Sequence, residues 1–129
     1  MPLSVVATAR GCSNMSCPDT THFEDAVKKA QAAKVTVLVL GLYTGCHGDV
    51  ACESEGWDRT SIALPGQQAA LLAAVRPVAN KLVCVLVHGG GLQLAAVMAQ
   101  CDAVVDAWYP GSEGGNGLAD VLFGKVGPG

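Results

Sequence analysis

Val35-Thr36-Val37-Leu38-Val39-Leu40-Gly41-Leu42 is the stretch on which the fold turns. It is apolar at almost every position, rich in β-branched residues and too short for an independent helix, so it reads as a strand buried on both faces, as in a parallel sheet. Two runs of the same kind follow it, Leu82-Val83-Cys84-Val85-Leu86-Val87 and Ala103-Val104-Val105-Asp106-Ala107-Trp108-Tyr109, and a shorter apolar run over residues 4–9 fits a first strand. The intervals read as helices. Thr21-His22-Phe23-Glu24 has the spacing of a capping box, and Phe23, Val27 and Ala30 share one face of the helix that follows. Pro65 stands where the first position of a helix tolerates its missing amide, residues 68–75 give the helix body, and Pro77 ends it. Further helices are expected over residues 92–100 and 118–123, the last stopped by Gly124. This alternation predicts an α/β fold, a three-layer sandwich with a mostly parallel sheet flanked by helices on both faces and right-handed crossovers. Ligands bind such sheets beyond the carboxyl ends of the strands, which is where the glycine-rich and charged loops fall.

Composition narrows the possible partners. The 129 residues are half hydrophobic and carry a net charge of −3, so one domain with an ordinary core is expected and a basic surface for nucleic acid is not. No apolar run approaches the roughly 20 residues that cross a bilayer, so no membrane partner is expected. The first residues lack the basic start and long apolar stretch of a secretory signal. The last, Lys125-Val126-Gly127-Pro128-Gly129, are turn formers, and residues 1–129 read as an incomplete domain.

Six cysteines fall into two groups. Cys12 with Cys17, and Cys46 with Cys52, lie in polar loops where short disulfides can close. Cys84 lies inside a strand and Cys101 follows a helix, so both are expected as buried thiols. Zinc is disfavoured because no Cys-x2-Cys pair occurs and the only nearby histidine is His47. No cofactor is expected.

The chemistry-bearing stretch is Cys52-Glu53-Ser54-Glu55-Gly56-Trp57-Asp58-Arg59, in the loop that follows the strand expected over residues 35–42. Its bland reading is a solvated loop tied down by Asp58 and Arg59, with Trp57 as a packing plug. Other α/β signals fail. Gly89-x-Gly91 lacks the third glycine of a dinucleotide-binding turn, and there is neither a Gly-x-Ser-x-Gly elbow nor a P-loop. His88, at a strand end, is a candidate substrate contact.

Glu-x-Glu-Gly-x-Asp-Arg followed by Leu-Pro-Gly-x-Gln, the later Gly-Gly-Gly, and Trp-Tyr-Pro-Gly-x-Glu-Gly-Gly-Asn-Gly-Leu-Ala-Asp-Val-Leu-Phe-Gly together resemble the second domain of glycoside hydrolase family 3, most closely its β-xylosidase and α-L-arabinofuranosidase branch. The resemblance implies a retaining β-glycosidase acting on a carbohydrate substrate, in which a (β/α)8 barrel, in cis or in trans, supplies an Asp nucleophile. The sandwich supplies the acid/base Glu, here Glu53 or Glu55, which the motif does not separate. Trp57, Tyr43 and His88 are then expected against the sugar, Asp58 and Arg59 as loop braces, and the setting as secreted or cell-wall. The residues from Cys46 to Cys52 depart from the usual pattern in length. A non-catalytic carbohydrate-binding or structural module is the competing reading. Without the barrel's nucleophile the chain is expected to be inactive by itself.

Overall fold

The computed structural model of the chain describes residues 5–44 and 51–128. Its elements run α1 (Phe23–Ala32), β1 (Thr36–Gly41), β2 (Tyr43–Thr44), β3 (Cys52–Glu53), α2 (Gln68–Val75), β4 (Leu82–Val87), α3 (Ala95–Gln100), β5 (Ala103–Asp106) and α4 (Gly114–Leu122). The class is the expected α/β one. Strands β1, β4 and β5 form a parallel sheet in the order β1-β4-β5, with Thr36 opposite Leu82 and Val83 opposite Ala103. Strands β2 and β3 form a separate two-stranded parallel ribbon in which Tyr43 pairs with Cys52 and Thr44 with Glu53.

The core follows from side-chain alternation along the strands. Leu38 and Leu40 of β1 and Leu82, Cys84 and Leu86 of β4 point to one face, where they meet Ala30 of α1, Leu71, Leu72 and Val75 of α2, and Val97 of α3. Val37 and Val39 point to the other face and remain 44% and 61% exposed. Asp102 ties the start of β4 to the end of α2. Its Oδ2 accepts the Leu82 amide at 2.7 Å and the Arg76 guanidinium at 3.1 Å, and these two bonds hold its carboxyl below the usual range.

Gln68 explains the Leu-Pro-Gly-x-Gln segment. This buried side chain accepts the Gly41 amide at 2.9 Å and donates to the Gly41 carbonyl at 2.9 Å and the Met15 carbonyl at 3.2 Å. It serves the end of β1 as a neighbouring strand would. Gly66, two residues earlier, has φ +53°, and a Cβ there would lie 2.0 Å from the Ser16 carbonyl oxygen, so no other residue fits.

Several expectations need correction. Residues 5–10 are exposed and belong to no strand; Lys29 instead holds this segment beside α1 by donating to the Thr8 carbonyl at 2.6 Å. The capping box does not form, because Asp19 takes the Thr21 amide at 3.0 Å and the helix starts at Phe23 without a side-chain cap. Helix α3 begins only at Ala95, since the Gln93 amide is committed to the Ile62 carbonyl at 2.7 Å. Helix α4 starts at Gly114, ahead of the expected residue 118, where Gly114 packs on the Pro110 ring.

The Cys12–Cys17 bridge is present, whereas Cys46 lies outside the described residues. Cys84 and Cys101 are not thiols. They are joined, with Cα atoms 6.0 Å apart, because the turn after α3 returns the chain beside the middle of β4. Closing that loop restricts the unfolded chain by roughly 3 kcal/mol.

Replacing Gln68 with Leu strands the Gly41 amide and two carbonyls in an apolar setting. A loss of roughly 2–4 kcal/mol in urea unfolding is expected.

Candidate active site

The loops after β1, β4 and β5 meet at one end of the sheet around an open cavity of about 510 Å³. Its walls include Glu53, Glu55, Trp57 and Arg59 from the acidic loop, Gly89 to Gly91 from the end of β4, and Tyr109 from beyond β5. Carboxylates, an indole, a phenol and backbone amides thus converge on a space large enough for a small ligand.

Glu53 is the best-fixed of these groups. Its Oε2 accepts the Gly89 amide at 2.8 Å and the Tyr109 hydroxyl at 2.9 Å, while Oε1 faces the Arg59 guanidinium at 3.9 Å. The glycine run makes this approach possible. A Cβ at Gly90 would stand 2.1 Å from Glu53 Oε1, and one at Gly89 would stand 2.3 Å from the Tyr109 ring. Gly-Gly-Gly therefore admits a carboxylate and a phenol where a dinucleotide-binding turn would admit phosphate.

Glu55 behaves differently. After Glu53 the chain turns sharply through Gly56, at φ +79°, and the Trp57 amide returns to the Ser54 carbonyl at 3.0 Å. Glu55 rides on this turn with its side chain exposed in the cavity wall and, among the described residues, makes no hydrogen bond or ion pair. Of the two acid/base candidates, one is bound on both sides of its carboxylate and the other is open.

The remaining expected residues separate. Trp57 lines the cavity and is 53% exposed, whereas Tyr43 is half-buried in β2 and is not part of the wall. His88 is turned inward: it is 3% exposed, with Nδ1 on the Gly90 carbonyl at 2.6 Å and Nε2 on Asp106 Oδ1 at 2.8 Å. Both ring nitrogens are used inside the protein. Arg59 braces the loop by donating to the Ser61 carbonyl at 2.6 Å and the Ala63 carbonyl at 3.2 Å. Asp58 stands in the cavity wall and, among the described residues, has no bond to Arg59.

Tyr109 and Asp106 were not singled out from the sequence. An aromatic pair at a strand end, on the same edge as an acidic loop, is the signal that points to them. Trp108 has φ +52°, a costly conformation for a large side chain. It lets two consecutive aromatics serve neighbouring partners: Trp108 lies 5.0 Å from the His88 ring, and Tyr109 reaches Glu53. Among the described residues no cluster of His, Cys, Asp and Glu has the arrangement to hold a metal ion.

Residues 4–129 match the family described as the glycosyl hydrolase family 3 C-terminal domain. The chain is similar to a probable β-D-xylosidase 6 of Arabidopsis thaliana, 36% identical over 94% of this chain and 15% of the relative. It is also similar to a periplasmic β-glucosidase of Salmonella typhimurium, 38% identical over 81% of this chain and 13% of the relative. Among solved structures, a family 3 exo-β-xylosidase in complex with a xylobiose aziridine activity-based probe superposes with a TM-score of 0.78, with 29% identity over 91% of this chain and 15% of that one. The chain therefore spans about 15% of the length of such relatives.

Tyr109 sets an alkaline limit on stability. Burial of its hydroxyl and then the bond to the Glu53 carboxylate raise its pKa from 10.0 to about 12. Between these values only the unfolded chain sheds the proton, so stability is complete below pH 10.0 and declines as pH rises toward about 12. Thermal melts in that window are expected to fall more steeply for the wild type than for Tyr109→Phe.

Proposed function

The chain belongs to glycosyl hydrolase family 3, as its C-terminal domain, and from that premise we propose that it delivers the general acid/base carboxyl of a retaining β-glycosidase, with Glu55 as that group. The observation that carries the reading is the contrast inside the acidic loop. Glu53 accepts hydrogen bonds from Gly89 and Tyr109, while Glu55 stands open in the same cavity. A carboxyl that must give up and retake a proton needs an unobstructed path to the reacting oxygen.

In the first step Glu55 donates its proton to the glycosidic oxygen as the carbon–oxygen bond breaks, and a carboxylate nucleophile bonds to the anomeric carbon. In the second step Glu55 takes a proton from water, the water oxygen attacks the same carbon, and the nucleophile is released. Retention requires the two carboxyl groups roughly 5–5.5 Å apart. The nucleophile is assigned to an Asp on a (β/α)8 barrel docked over the cavity. Such docking would also remove Glu55 from water, which a general acid needs and its exposed position here does not provide.

Trp57, on the same turn and half-exposed, is placed to stack on a pyranose face at the cavity mouth. β-Xylosides and β-glucosides are the proposed substrates, in keeping with the relatives named as xylosidase and glucosidase. The Cys12–Cys17 and Cys84–Cys101 bridges support a setting outside the cytoplasm.

The 129-residue chain assayed with nitrophenyl β-xyloside or β-glucoside is expected to show no turnover, because it would lack the nucleophile. Joined to a family 3 barrel it should hydrolyse them, and Glu55→Ala should lower kcat about 10²–10⁴-fold, with less loss on a dinitrophenyl leaving group that needs no proton. Azide should rescue that variant and yield a glycosyl azide of retained configuration. Undiminished activity in Glu55→Ala would overturn the assignment.

A further inference from the structure

We propose that Glu53, Tyr109 and the His88–Asp106 pair are positioning residues that clamp the turn carrying Glu55 to the ends of β4 and β5. The catalytic meaning of the clamp rests on the role of Glu55 proposed above; its mechanical part does not.

The turn meets the main sheet through the side chain of Glu53. Strand β3 is Cys52–Glu53, and past it the Trp57 amide donates to the Ser54 carbonyl and closes the turn. Glu53 links this turn to the sheet. Its side chain, 18% exposed, leaves the ribbon and takes a backbone amide from the end of β4 and a phenol from beyond β5. These bonds run to separate strands of the main sheet, so they restrain the turn in more than one direction.

The donor side is itself braced. The Gly89 amide belongs to a glycine segment that has no side chains to anchor it. His88 holds that segment through its Nδ1 bond to the Gly90 carbonyl, and Asp106, the last residue of β5, holds His88 through Nε2. Trp108 covers the imidazole at 5.0 Å. A continuous set of contacts thus leads from β5 through Asp106, His88 and Gly89 to Glu53, and Glu55 lies two residues further on.

The chemistry of Glu53 separates positioning from proton transfer. As an acceptor of two hydrogen bonds it can be replaced by Gln, whose amide oxygen accepts the same pair, but not by Ala. A group that transfers a proton tolerates neither change.

Hydrogen exchange on the 129-residue chain tests the mechanical part, read at the Trp57 amide. Glu53→Ala is expected to speed exchange there by about tenfold or more while the amides of β4 keep their protection, and Glu53→Gln should restore slow exchange. Gly90→Ala, whose added methyl group would occupy the place of the carboxylate, and Tyr109→Phe should loosen the same amide, and they carry the test if Glu53→Ala does not fold. Unchanged protection at Trp57 in all of these variants would overturn the clamp. In the barrel-joined form, Glu53→Gln should retain kcat within about tenfold while Glu53→Ala loses most of it at similar KM. Equal loss in both would overturn the positioning role and make Glu53 the proton donor. An active Glu55→Ala together with loosened exchange in Glu53→Ala would instead leave the clamp standing and remove the role given to Glu55.

Discussion

One carboxylate joins the two parts of this molecule. Glu53 lies in a two-residue strand outside the main sheet, and its bonds to the Gly89 amide and the Tyr109 hydroxyl are what bring the acidic loop against the ends of β4 and β5. Arg59 adds hydrogen bonds to the nearby carbonyls of Ser61 and Ala63, and the Ile62 carbonyl takes the Gln93 amide at 2.7 Å, but it is Glu53 that reaches the ends of both strands. In the cavity wall this charged group is given partners, where an unpartnered carboxylate would be costly.

Other features are accommodations to it. Gly89 and Gly90 lack side chains because the carboxylate and the phenol occupy the space a Cβ would need. Trp108 accepts a left-handed backbone so that its own ring and that of Tyr109 both reach the β4 end. His88 spends both ring nitrogens on the Gly90 carbonyl and Asp106, keeping the donor segment in place. Deeper in the domain, Gln68 does comparable work for Gly41, completing the end of β1 and setting the direction in which the chain leaves it. Polar side chains substitute for absent strand neighbours in both places, which is a general solution where a sheet ends and a site begins.

The two glutamates of the loop show how environment divides identical side chains. They are two positions apart along the chain, yet one is enclosed by donors and the other faces open space. Enclosure suits a strut, and openness suits a group that exchanges protons with a substrate held by another module. The proposed role of Glu55 depends on that division more than on the motif, which treats the two alike.

Much of this was legible from the residues alone. The apolar runs of β1 and β4 were readable because both faces of those positions are lined by hydrophobic side chains, and helix α2 because Pro65 and Pro77 bracket it. The acidic cluster was readable as a site because charge is rare elsewhere in the chain. Contacts between distant segments were not. The Cys84–Cys101 bridge, the inward turn of His88 and the pairing of Glu53 with Tyr109 each join residues 17 or more positions apart, or depend on which way a side chain turns at a strand end. Sequence determines local periodicity, and with it the α/β alternation and the edge where ligands bind. Which glutamate is tied and which is left open was decided only by folding, because a hydrogen bond forms between groups that the tertiary structure has already brought within about 3 Å.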